Sequence, residues 1–137
     1  MGGFPVELEV ANHRDLVMAE NGVLDPAKVR RLTITGVVDT GATRLVLPQS
    51  VVKQWGLAAT GKVKVRYADG RTATRQSVKD VDVQILGRSG NFTAVVEPNR
   101  RRALMGAIVL EDLDYLVDCS KQRLFPRDPR FVISEIE

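Results

Sequence analysis

The chain has 137 residues, 44% of them apolar and 27% charged, the size and make-up of one ordinary water-soluble domain. Its longest apolar stretch, residues 103–110 with Gly106 inside it, is far short of the roughly 20 residues a membrane-spanning helix needs. The single cysteine, Cys119, excludes an internal disulfide, and the single histidine, His13, argues against a Cys/His zinc site and against histidine-based hydrolases.

The opening Met1-Gly2-Gly3-Phe4-Pro5 lacks the basic and apolar regions of a secretory signal, so the expected location is cytoplasmic, with no membrane partner. A net charge of +3 comes mostly from interspersed charges. The one basic run, Arg100-Arg101-Arg102, reads as a solvated loop. With aromatics at only 5%, no nucleic-acid partner is expected.

Taken in chain order, the first element is a strand, because Val6, Leu8 and Val10 alternate with Glu7 and Glu9. The polar run Ala11-Asn12-His13-Arg14-Asp15 reads as a turn that leaves His13 exposed. Asn21-Gly22 and Asp25-Pro26 are turn dipeptides. Residues 32–38 form a strand that runs directly into Asp39. Residues 48–55 begin with a proline and stop at Gly56, the asymmetry of a short helix, with Trp55 packing inward.

Residues 62–67 and 72–78 are two strands joined at Asp69-Gly70, which predicts a hairpin with a two-residue turn. Val81, Val83 and Ile85 alternate with Asp82 and Gln84 in a further strand, and Ser89-Gly90 signals another turn. Residues 107–113 form a second short helix, and Cys119 reads as a small buried hydrophobe. Residues 131–137, beyond Pro126 and Pro129, read as a last apolar strand that needs a partner for its bare edge. The class is all-β, of antiparallel sheets with one wet face, in a sandwich or barrel.

The chemistry concentrates in Gly36-Val37-Val38-Asp39-Thr40-Gly41-Ala42-Thr43-Arg44-Leu45-Val46-Leu47-Pro48. A carboxylate delivered at the end of a buried strand is costly unless hydrogen-bonded. Gly41 permits a tight turn whose N–H groups can aim at Asp39, and Thr40 adds a hydroxyl. The same residues suit a plain Asx turn between two strands. What lifts the motif above that is its flanks and a second segment, Leu104-Met105-Gly106 followed by Leu110, Leu113 and Val117-Asp118.

Together these two segments resemble the signatures of retropepsin-like aspartic proteases, most closely the single-domain bacterial and archaeal members. The resemblance runs over nearly the whole chain, roughly residues 6–124. It implies a single domain, residues 1–137, folded as a closed acid-protease barrel with one or two short helices and a flap hairpin. Asp39 would be the catalytic aspartate in an active-site loop with Thr40, Gly41 and Ala42. Tyr67, Ala68, Asp69 and Gly70 would form the flap, and Leu104, Met105 and Gly106 would support the loop. Two positions depart from the viral pattern: Ala107 stands where a charged brace is common, and Arg44 places a charge near the motif.

Carboxyl-based peptide hydrolysis needs one carboxylate as base and one protonated carboxyl as acid. The chain carries one Asp-Thr-Gly, and Asp112, Asp114 and Asp118 lack the turn. The reading is therefore a homodimeric aspartic endopeptidase acting on peptides or proteins, with no metal or organic cofactor and with residues 130–137 as a dimerisation strand. The alternative is a catalytically inactive binding or dimerisation module that keeps this fold.

Overall fold

The computed structural model describes residues 3–137. Strand β1 (Phe4–Asn12) pairs antiparallel with β2 (Arg31–Val38), from Phe4 opposite Val38 to Ala11 opposite Arg31. The period-two pattern of β1 places Leu8 and Val10 in the core and leaves Glu7 in water. Next come β3 (Leu45–Pro48), helix α2 (Gln49–Trp55) and strands β4 (Ala59–Arg66), β5 (Thr72–Ile85), β6 (Arg88–Glu97) and β7 (Ala103–Met105). The chain continues with helix α3 (Ala107–Asp112) and a separate hairpin of β8 (Tyr115–Asp118) with β9 (Arg123–Pro126). The first helix, α1 (His13–Glu20), lies between β1 and β2.

Six strands close into a barrel in the order β1-β2-β7-β3-β6-β5, with β5 returning to β1 through Val10 opposite Val83. β4 pairs only with β5 and lies outside the ring, so Val63 and Val65 are only half-buried. A β-bulge between Val78 and Val81 separates two roles of β5. One part carries the hairpin with β4, and the other seals the barrel against β1. The interior is filled by Leu8, Leu45, Leu47, Ile85, Met105 and Leu113, each under 2% exposed or at that limit. Each contributes about 1.5–3 kcal/mol of burial.

The barrel is mixed where the alternation predicts antiparallel pairing alone. β2 runs parallel to β7 and β3 parallel to β6. Both parallel pairs involve short strands buried within the ring, whose continuous apolar runs Val37-Val38 and Leu45-Val46-Leu47 carry no alternation to read.

Among the described residues there are three α-helices, one more than expected. The run around His13 is a helix because Asn12 caps it, accepting from the Asp15 N–H at 3.2 Å, while its own side-chain amide donates to the Trp55 carbonyl at 2.8 Å. The Asp15 carboxylate, 3% exposed, receives the Arg30 N–H at 3.0 Å, Nε at 2.8 Å and Nη2 at 3.0 Å. Eight residues are marginal as an isolated helix, so these long-range bonds hold it. His13 is accordingly half-buried, with Nδ1 at 3.7 Å from Asp82.

The turns differ in detail. The hairpin between β4 and β5 forms, but as a three-residue loop: the Gly70 N–H donates to the Tyr67 carbonyl at 2.9 Å, and only Gly70 takes positive φ, at 87°. Ser89-Gly90 lies within β6. The turn before it is Leu86-Gly87, both with positive φ (50° and 91°), which suits the right-handed twist of the flanking strands. α2 does end at Gly56, with φ 59° and ψ 36°.

Cys119 is exposed in the β8–β9 turn rather than buried, because that hairpin stands apart from the barrel sheet. Residues 131–137 form no strand within the chain. Instead the tail is pinned by its backbone: the Ile133 N–H donates to Asp114 at 2.9 Å, and Arg127 and Arg88 donate to the Ile133 and Phe131 carbonyls at 3.2 Å each. Phe131, Val132, Ile133 and Ile136 stay exposed.

The hydrogen bonds from Arg30 hold the Asp15 carboxyl below the usual carboxylate range, against the opposing effect of burial. A depressed folded value means that this stabilisation is complete above about pH 4 and is lost as pH falls through the lowered value. Asp15→Asn should cost about 1.5–3 kcal/mol at pH 7. In urea melts at pH 7 and pH 3, the gap between variant and wild type should narrow at the lower pH.

Candidate active site

β2 and β7 run parallel, with Val38 opposite Met105, so the next residue of each, Asp39 and Gly106, emerges at the same end of the barrel. The Asp39 N–H continues that ladder by donating to the Met105 carbonyl at 3.1 Å. The chain then turns: the Ala42 N–H donates to the Asp39 carbonyl at 3.1 Å, and the Gly41 N–H donates to Asp39 Oδ1 at 2.9 Å. Asp39 is thus half-buried with one carboxylate oxygen held by the backbone and the other free of that bond.

The far side of the loop is locked to α3. The first N–H groups of a helix have no partner within it. Here the Ala107 N–H donates to the Ala42 carbonyl at 2.8 Å and the Ile108 N–H to the Thr43 carbonyl at 2.9 Å. Gly106, buried at the helix N-cap, makes this approach possible. A Cβ there would stand 2.6 Å from the Thr43 carbonyl carbon and 2.7 Å from both the Ala42 oxygen and the Arg44 nitrogen, all backbone atoms. Leu104 pairs with Val37 on one side and Val46 on the other, and Met105 is fully buried beneath. Leu104, Met105 and Gly106 therefore meet Asp39, Gly41 and Ala42 in one assembly.

Asp39 and Thr40 open onto a pocket of about 330 Å³, lined also by Gly3, Phe4, Val38, Val117, Cys119 and Gln122. Phe4, Val38 and Val117 give it an apolar wall, and Thr40 is exposed at its edge. Neither Cys119 nor Gln122 stood out in the sequence as site residues. They arrive through the β8–β9 turn, whose position no local pattern encodes.

Tyr67, Ala68, Asp69 and Gly70 form the tip of the β4–β5 hairpin. The tip is ordered by its own side chains: Asp69 accepts from Arg71 Nε at 2.7 Å and from its N–H at 2.9 Å, and the Arg71 guanidinium lies 5.0 Å over the Tyr67 ring. The Tyr67 hydroxyl donates to Glu97, a residue the sequence pattern did not single out. Hydrogen bonding to that carboxylate pushes the Tyr67 hydroxyl above its ordinary range.

The other acidic side chains near the C-terminal hairpin are engaged. Asp114 is buried, ion-paired with Arg127 at 3.0 Å and bonded to the Ile133 N–H. Asp118 closes its own turn by accepting from the Ser120 hydroxyl at 2.8 Å and from the Ser120 and Lys121 N–H groups, which hold its carboxyl below the usual range. Among the described residues no group of three or more His, Cys, Asp or Glu side chains could hold a metal ion. Among the same residues no helix is long and apolar enough to cross a membrane.

A family model described as aspartyl protease matches residues 21–110, about two thirds of the chain, from the turn after α1 to α3. No curated protein matches the chain.

Gly106→Ala should destabilise the fold by about 2–3 kcal/mol or more, since rigid backbone must move to admit the methyl group. Gly41→Ala should cost less. Its Cβ would stand 3.2 Å from Asp39 Oδ1, the end of a side chain that can give by a few tenths of an ångström. Chemical denaturation of the two variants beside wild type gives the ranking.

Proposed function

The chain belongs to the aspartyl protease family, and we propose that it is an endopeptidase that works as a homodimer, with Asp39 of each copy forming one shared carboxyl pair. The observation that carries this reading is the Asp39 loop. One carboxylate is presented at the mouth of a pocket by a turn bonded to β7 and α3, and the chain holds a single such loop. Asp114 and Asp118 are committed to Arg127, the tail and a local turn, so a second carboxyl is best supplied by another copy. A two-fold axis beside the loop brings the same residue from both sides.

In that pair the two carboxyls share one proton, because like charges at about 3 Å do not both ionise. The charged one takes a proton from water as the water attacks the scissile carbonyl. The neutral one donates its proton to the carbonyl oxygen. In the second step the carboxyl that took the proton from water gives it to the departing nitrogen, while the other recovers its proton from a hydroxyl of the tetrahedral intermediate, so the pair ends as it began, with one proton. The exposed Thr40 hydroxyl is open to the partner's loop, and Gly41 keeps the backbone low beneath the substrate. The β4–β5 hairpin with Tyr67, Ala68, Asp69 and Gly70 serves as the flap that covers the cleft. The exposed apolar side chains of residues 131–137 supply surface for the dimer contact.

Light scattering over a concentration series should show a dimer, and a strict monomer at millimolar concentration counts against the shared pair. Deleting residues 131–137 should weaken that dimer more than it lowers the melting temperature. If the truncated chain dimerises equally well, the tail has another role.

Asp39→Asn should lower peptide cleavage by at least about a thousandfold with fold and dimer retained, because it removes both the base and the shared proton. The wild-type rate should fall on both sides of an acidic optimum: with both carboxyls protonated no base remains, and with both ionised no acid remains. A pH–rate profile on a mixed peptide library, with both proteins, measures this. Equal cleavage by the variant rejects Asp39, and no cleavage by either protein leaves a binding module with this fold.

A further inference from the structure

The β4–β5 hairpin projects beyond the sheet. Residues 72–76 of β5 pair with β4 alone, and the ladder between β5 and β6 begins only at Ser77 opposite Val95. Extended two residues outward, that register sets Arg75 opposite Glu97, the last residue of β6. No backbone bond joins them there, but the side chains do. Arg75 Nε pairs with Glu97 Oε1, and the Tyr67 hydroxyl donates to the same carboxylate at 2.7 Å (Oε2) and 2.9 Å (Oε1). The Arg75 and Glu97 side chains are only 28% and 19% exposed, so water screens the pair weakly. Tyr67 in turn carries Arg71 on its ring, and Arg71 holds Asp69.

We propose that Glu97 is a positioning residue: its one carboxylate receives Tyr67 and Arg75 together and fixes the height of the hairpin tip over the cleft. The inference rests on the reading of that hairpin as a flap. From Glu97 the chain passes through residues 98–102 into β7, where the Met105 carbonyl takes the Asp39 N–H. The clamp therefore sets the tip relative to the segment that carries the Asp39 loop. A hairpin joined to the barrel through one strand is otherwise free to bend, and an untethered lid lowers the share of molecules ready to close on a peptide. Charge-assisted bonds to a shielded carboxylate are of the strength such a tether needs.

The test uses the full chain with Tyr67→Phe, Glu97→Gln and the double variant. Tyr67→Phe removes one oxygen and keeps the ring under Arg71, so it preserves the fold even if Glu97→Gln does not. Amide hydrogen exchange over residues 67–74 should quicken roughly tenfold in each single variant, with β1 and β2 unchanged. In peptide cleavage KM should rise about fivefold with kcat within about twofold, whereas mere loss of folded protein would lower kcat at constant KM. The double variant should match Glu97→Gln, because a shared bond is lost only once. Wild-type exchange in both single variants, or fully additive effects in the double, overturns the clamp. A wild type that cleaves no peptide defeats the protease reading, and the exchange measurement still decides the clamp.

Discussion

The arrangement at the Asp39 end of this molecule depends on one close approach, the backbone of residues 42–44 against Gly106. No side chain separates the two segments, so the first N–H groups of α3 reach the carbonyls of Ala42 and Thr43 directly. The helix is capped by the loop, and the loop is immobilised by the helix. The Asp39 turn then has fixed walls on both sides, β7 through Met105 and α3 through Ala107 and Ile108. A carboxylate held in this way needs no reorganisation when a charge develops beside it, which is the condition for efficient acid–base chemistry.

The mixed pairing of the barrel follows from the same constraint. For Asp39 and Gly106 to leave the sheet side by side, β2 and β7 must point the same way, which antiparallel neighbours do not do. β3 then enters antiparallel to β7 and carries the loop's exit away from the site. Val38, Leu45, Leu47, Ala103 and Met105 on these strands are buried because the ring closes around them, and closure also removes the exposed edges that a six-stranded open sheet would present.

Much of this architecture is legible in the residues. Asp39-Thr40-Gly41 after an apolar strand marks the turn, Gly106 before a short apolar run marks the helix behind it, and Gly56 marks the end of α2. The alternation in β1 and the second half of β5 states which face is inside. Helix α1 escaped because its stabilisation is tertiary: Asn12 reaches Trp55 and Asp15 reaches Arg30, pairings with no local signature. Leu86-Gly87 escaped because a leucine is an unexpected choice for positive φ, while Ser89-Gly90 carries the stronger turn composition. Glu97 and the pocket residues Cys119 and Gln122 escaped for a related reason. Each is an ordinary residue whose role comes from the segment that the fold sets against it.

The ring closure also dictates an order of assembly. Val10 pairs with Val83, 73 positions further on, and Val38 with Met105, 67 positions further on. At about 5–20 residues per second on a ribosome, the open edge of β1 waits roughly 4–15 seconds for its second neighbour to be synthesised. During that interval β1 and β2 can exist only as a hairpin with one apolar face bare, a species too small to be stable alone. Until β5 emerges that face has no partner within the chain, and pairs so distant in sequence set a slow folding rate for a chain of this size.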